Sequence, residues 1–220
     1  MTLDFSVVTD VWQSLVYGTL GTLFLAVAGM MIATVIGVLG VAILRTHMVI
    51  PSFLVTAFVE VIRNTPFLVQ IYFIFFALPL AGVRLNPTMT AVLALGLNGG
   101  AYAIEIIRGG VESIPKGQTE AGLALGLHNH EVFRMIILKP ALRAIYPSLS
   151  SQFILLTLTT AICTSISAYE LTSVGQRIEA ETFRSFETYF TLTGIYLVIS
   201  MVTMWTLAAI GRRAFNYPQR

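Results

Sequence analysis

The stretch RGGVESIPKGQTEAGLALGLHNHEVFRMIILKPALRAIYP, residues 108–147, lies between hydrophobic runs and is the one long polar segment of the chain. A bilayer core offers no hydrogen-bond partners to such a sequence, so it belongs in water at a membrane face. Its pattern predicts two short helices. Thr119 is placed to cap the first, Glu120 falls in its first turn where the helix dipole favours an anion, and Gly126 stands where it would stop. The second spans about residues 130 to 138, with Phe133, Ile136 and Ile137 on one face and Glu131 and Arg134 turned to solvent. Ala121, Gly122, Ala124 and Gly126 leave one side of the first helix nearly bare of bulk beside Leu123 and Leu127. A bare helix suits a groove on a soluble partner at the membrane surface, although the same spacing also describes an interfacial turn that binds nothing.

Outside this stretch the chain has the composition of a membrane protein. Over 220 residues it is 56% hydrophobic and 11% charged, with mean hydropathy +0.81, and its length suffices for about five spans. The net charge of +2 is too small to point to nucleic acid, and the one cysteine, Cys163, rules out a disulfide framework. The first fourteen residues hold Asp4 and Asp10 without Lys or Arg, so no basic signal-peptide region is expected. Spans are predicted at residues 15–44, 53–80, 88–107, 148–169 and 189–210. A short helix is allowed in the polar loop after Glu170. Arg45 and His47 end the first span.

Charges within the spans are few and regularly placed. Glu60 and Arg63 are three residues apart, and Glu105 and Arg108 repeat that spacing. A charge at a helix centre costs about 2.5 to 3.5 kcal/mol on insertion scales, so these groups should pair, near an end of the bundle. A partly buried network of all four is the expectation. Pro66 is expected to kink or restart its helix. Gln70, Asn98 and Tyr102, with the hydroxyls of Thr159, Thr160 and Thr164, are candidates for a substrate path; close helix packing and backbone bonding are the alternative for each.

Counting basic residues gives an orientation. Five spans put the termini on opposite sides. With the N-terminus outside, the inner segments hold Arg45, Arg108, Lys116, Arg134, Lys139, Arg143, Arg212, Arg213 and Arg220, against Arg84, Arg177 and Arg184 outside. That asymmetry places residues 108–147 in the cytoplasm.

Glu120, Ala121, Gly126, Ile136 and Leu138 resemble the EAA loop of ABC importer permeases: Glu-Ala-Ala, three residues, Gly, nine residues, then Ile-x-Leu-Pro. Gly122 stands where the third small residue is usually Ala, and Lys139 replaces the Pro, with Pro140 one place late. Two further stretches are similar to the polar amino-acid branch of that family, the histidine, glutamate, glutamine and arginine type. One is Glu60-x-x-Arg63-x-Thr65-Pro66-x-Leu68-Val69-Gln70; the other is Gly100-Ala101-Tyr102-x-x-Glu105-x-x-Arg108-Gly109-Gly110. Leu158 departs from a Lys common in that branch just before the pair matching Thr159 and Thr160, so no cation holds a substrate carboxylate there.

The resemblance implies an all-α integral membrane protein of five transmembrane helices with a cytoplasmic coupling-helix loop between the third and fourth. Residues 1–220 would form one transmembrane domain, with 108–147 as the loop inside it. Glu120, Ala121, Gly122, Leu123 and Gly126 would dock on an ATPase, while Glu60, Arg63, Glu105 and Arg108 would form an ion-pair gate. Implied partners are a second permease subunit, identical or homologous, two cytoplasmic ATPase subunits carrying ATP and Mg, and an extracytoplasmic amino-acid-binding protein. The location would be the bacterial inner membrane, with no cofactor, metal or nucleic acid on this chain.

Two other classes fit less well. An intramembrane hydrolase needs a base beside Ser165 or Ser167, but His47, His128 and His130 all fall in predicted cytoplasmic segments. An ion-coupled transporter, the alternative function, needs no ATPase; the length leaves no room for two inverted five-helix repeats. The chain also lacks a phosphate cradle of its own, since Pro115 and Gly117 occupy the positions where a P-loop requires Gly and Ser or Thr.

Overall fold

The computed structural model describes residues 5–6, 10–46 and 48–215, so the expectations for Asp4, His47 and Arg220 lie outside it. Among the described residues the secondary structure is helical. The helices are α1 (Trp12–Leu44), α2 (Val49–Arg63), α3 (Phe67–Leu80), α4 (Pro87–Glu112), α5 (Lys116–Ala124), α6 (Asn129–Val132), α7 (Leu138–Thr159), α8 (Leu171–Thr182) and α9 (Ser185–Ala214). A π-helical turn, Phe133–Ile137, joins α6 to α7, and a 3-10 helix, Thr160–Ile166, extends α7.

Among the described residues four helical stretches are long and apolar enough to cross a membrane: α1, α4, Asn129–Ile166 and α9. The predicted second span is instead a pair, α2 and α3, bent by 113°. The break lies where Pro66 was expected to make one. Asn64 caps α2, and Pro66, extended at φ −63° and ψ 139°, precedes α3. Together the halves cover α4 along its length. Val55, Phe58 and Val59 of α2 pack with Val41 and Ile104, while Ile71, Ile74 and Phe75 of α3 pack with Leu25, Ala91 and Leu95 towards the opposite end. One broken crossing therefore completes five.

The pairing of α1 with α4 forms the centre of the bundle, and small residues make it. At about 50 Å, α1 is longer than a hydrocarbon core. It buries Gly29, Ala33, Gly37 and Gly40 against α4 in one stripe, while Gly18 and Thr22 meet the start of α8 at Leu171. A methyl on Gly37 would come within 2.7 Å of Ala103 Cβ, one on Gly99 within 2.9 Å of Ala33 Cβ, and one on Gly100 within 2.7 Å of Ile36 Cγ2. Lipid tails are as apolar as leucine, so close backbone approach, not hydrophobic burial, drives such helices together.

Three boundaries differ from the sequence reading. The second loop helix does not end near Leu138: α6, the π-helical turn and α7 run on as one span. Pro140 lacks an N–H and its ring crowds the Ile136 carbonyl, which the wide turn just before it accommodates. The first loop helix starts after Pro115, not at Thr119, because proline preorganises a helix start and its missing N–H costs nothing there. The fourth span ends in 3-10 form with Ser167 left-handed at φ 61°.

Candidate functional site

The short helix α5 lies on the bundle by one glycine. A methyl on Gly122 would meet Ile136 Cδ1 at 2.7 Å and Val132 Cγ2 at 2.9 Å, so a side chain there would force those two residues to shift. This corrects the expectation that Gly122 belongs to the bare docking side: it is buried and faces inward. Val132, Ile137 and Ala141, with Ile114, Leu127 and Ile136 against them, form the small core behind it. Glu120, Ala121, Ala124 and Leu125 remain exposed on the other side, and Leu125 is 82% accessible. Leu123 is also exposed at 44%.

Gly126 stops α5 as expected. At φ +83° it adopts a conformation that costs glycine nothing. Its N–H donates to the Leu123 carbonyl (2.9 Å) and the Leu127 N–H to the Gly122 carbonyl (3.2 Å), the paired bonds of a Schellman ending. Glu131, partly accessible, also accepts from the His128 N–H at 2.8 Å and helps to cap α6.

Above α5 a cavity of about 760 Å³ opens between α1, α2, α4 and α5. Its charged lining comprises Arg45, Glu60, Glu105, Arg108, Glu112 and Lys116. The expected network of four charges forms with one change of member. Glu105 accepts from Arg63 Nη1 at 3.2 Å and takes a fork from Arg108, Nη2 at 2.8 Å and Nε at 3.1 Å. Arg108 also reaches Glu112 at 3.6 Å. Glu60 does not pair with Arg63; its carboxylate accepts from Asn64 Nδ2 at 3.0 Å. The reason is positional. Arg63 ends α2 and turns to α4, while Asn64, capping the same helix, folds back on the Glu60 carbonyl at 2.8 Å. Glu112 was missed, although its spacing from Arg108 is the ordinary four-residue one.

A polar stripe continues up α4 from this network. Arg63 stacks over the Tyr102 ring at 5.8 Å, and Asn98 Nδ2 donates to Gln70 Oε1 at 2.9 Å. Gln70 Nε2 faces the Ile62 carbonyl (2.7 Å), the Thr65 carbonyl (2.9 Å) and Thr65 Oγ1 (2.9 Å). Gln70 thus satisfies carbonyls that the break between α2 and α3 leaves unpaired. Asn98, Tyr102 and Glu105 follow at four and three residues, one face of α4 turned to the broken pair.

The hydroxyl candidates are not part of this stripe. Thr159 Oγ1 donates to the Leu155 carbonyl at 2.8 Å, and Thr160, fully buried, donates to the Thr157 carbonyl at 2.7 Å. Thr164 alone reaches another element, donating to Gln176 Oε1 of α8 at 3.2 Å.

Relatives and solved structures match this arrangement. The chain is 40% identical over 215 residues to the glutamine transport system permease protein GlnP of Escherichia coli K12, covering 97% of this chain and 98% of that one. It is 37% identical over 163 residues to the L-cystine transport system permease protein TcyB of Bacillus subtilis, covering 74% and 70%. A crystal structure of an amino acid ABC transporter with histidines superposes with TM-score 0.91 at 30% identity, over 97% of this chain and all of that one. A chain of the MetNI methionine ABC transporter in inward-facing conformations, at 19% identity and TM-score 0.78 over 93% and 98%, shares the fold. The pattern of the binding-protein-dependent transport system inner membrane components matches residues 29–216, nearly the whole helical bundle, and this protein belongs to that family.

Proposed function

We propose that this chain forms, with a second permease subunit, the path for a polar amino acid of the glutamine type through a bacterial inner membrane. Two ATPase subunits holding ATP and Mg drive the cycle, and an extracytoplasmic binding protein delivers the substrate. The likeness to a glutamine permease over 97% of this chain carries the substrate class. Permeases of this family are translocation subunits and not themselves catalysts, and nothing among the relatives favours the ion-coupled alternative.

In this reading α5 is the docking element. Glu120, Ala121, Leu123 and Leu125 meet the ATPase, Gly122 holds the helix against the bundle from behind, and Gly126 fixes its end. Arg63, Glu105, Arg108 and Glu112 act at the inner mouth as an ion-pair gate, with Glu60 beside it. Gln70, Asn98 and Tyr102 continue that path upward.

Reconstitution with the ATPase and binding protein in proteoliposomes tests the reading through uptake of labelled glutamine, with histidine, arginine and glutamate as competitors. ATP-dependent uptake is expected. Uptake driven by a sodium or proton gradient without ATPase would overturn it. Ala121→Trp adds bulk on the exposed face of α5, and overpacking a contact costs about 1–3 kcal/mol, so ATPase retention should fall about fivefold or more while insertion persists. Full retention and uptake by that variant would show that α5 is not the docking element.

A further inference from the structure

Motion of the docking helix must reach helices that cross the membrane, and the π-helical turn Phe133–Ile137 lies between the two. The residue before that turn, Val132, and Ile136 within it form the seat of Gly122. A π-helical turn carries one more residue than the α-helix around it and often marks a functional site in a helix. From this turn the Phe133 ring projects outward, 37% accessible, and the Arg45 guanidinium lies over it with Cζ 5.4 Å from the ring centroid.

Arg45 is well placed to carry force. It caps α1, its N–H bonding the Val41 carbonyl at 3.1 Å, and α1 is held to α4 by the glycine stripe. None of the ion pairs among the described residues involves Arg45, although Glu60, Glu105 and Glu112 line the same cavity. Its guanidinium lies over a ring instead. A guanidinium stacks flat on an aromatic face in a way that a compact ammonium does not.

We propose that Arg45 is a positioning residue for coupling: with its cation over the Phe133 ring, it ties the turn that seats the docking helix to the end of α1, so that displacement of α5 moves α1. The proposal rests on α5 being the docking element. The contact is exposed, and a cation over a ring at such a site is equivalent to a factor of about 2–5 in an equilibrium. The tie therefore biases coupling and does not hold the complex together.

The test uses the full complex in proteoliposomes, reading ATPase retention on purification and ATP hydrolysed per glutamine imported. Arg45→Ala and Phe133→Leu are expected to keep the ATPase bound while ATP used per substrate rises about two- to fivefold. Phe133→Tyr, which keeps the ring, should match the unaltered protein, and Arg45→Lys should fall between. Because both partners act through one contact, Arg45→Ala with Phe133→Leu should be no worse than either alone. An unchanged ratio in Arg45→Ala, or additive effects in the double variant, would overturn the proposal. Failure of the docking reading looks different, since it shows as ATPase retained by Ala121→Trp. Should Arg45→Ala not insert, Phe133→Leu against Phe133→Tyr decides the question by itself.

Discussion

Glu170 is the most deeply buried charge-bearing side chain among the described residues, and it is fully hydrogen-bonded. Its carboxylate accepts from the Thr172 N–H (2.8 Å), the Ser173 N–H (2.6 Å) and Tyr196 OH (2.9 Å), capping α8. Burial nevertheless outweighs these bonds and raises its pKa above the usual 4.5. A carboxyl with a raised folded pKa favours the folded state fully below its unfolded pKa, and that contribution is lost as pH rises through the folded value. Glu170→Gln removes this titration, so the difference in melting midpoint between the two proteins should grow with pH above about 4.5 and then level off. A pH-independent difference would contradict the assignment. Glu105 offers a second test at this scale, because it bridges two arginines and Glu60 bridges none. Glu105→Ala leaves Arg63 and Arg108 facing each other and should lower the detergent melting midpoint more than Glu60→Ala. The side chains of Arg63 and Arg108 are 41% and 45% accessible, so the coupling in an Arg63–Glu105 double-mutant cycle should be about 1 kcal/mol or less.

Among elements, the contact of α1 with α4 is sensitive to volume at several points along its length. Gly37, Gly99 and Gly100 sit where any side chain meets Ala103, Ala33 or Ile36. Gly100→Leu should cost about 1–3 kcal/mol or more, seen as a lower melting midpoint, whereas Gly194→Leu on α9, with open space around it, should be neutral. Equal effects would mean that the helices are not packed on the glycine stripe. Gly117 and Gly122 make the same contrast on α5: the first has no neighbour within 4 Å, the second is wedged against Val132 and Ile136. Sequence alone treats these glycines as equivalent small residues. Only the facing element distinguishes them, which is why Gly122 was assigned to the wrong side of its helix.

For the whole molecule, the excess of basic residues on one side predicts an N-terminus outside, and with five crossings that would put α5 and the start of α6 in the cytoplasm. Cys163 is fully buried among apolar side chains, so Cys163→Ala gives a cysteine-free background at small cost. In that background a cysteine at position 129 should resist an impermeant thiol reagent added to intact cells and react once the membrane is opened. Labelling from outside would reverse the topology. What the sequence by itself determined follows from solvent and spacing. Long uncharged runs must lie in lipid, the segment 108–147 must reach water, Pro66 must interrupt a helix, and Gly126 must end one. These are local rules, and the structure meets the last two: the helix breaks at Pro66 and α5 ends at Gly126. The tertiary structure decided the partners. Arg63 chose Glu105 over Glu60 because α2 ends beside α4 and Asn64 already occupies the Glu60 carboxylate. Lys139 and Pro140 did not end a helix, because the π-helical turn absorbs the proline and the span continues. Thr160 is fully buried, and its hydroxyl donates to the Thr157 carbonyl of its own helix. A side chain within a span can bond its own backbone, a neighbouring helix or a substrate. Which of these it does depends on how the helices are rotated about their axes, and that rotation is set by packing across many residues far apart in the chain.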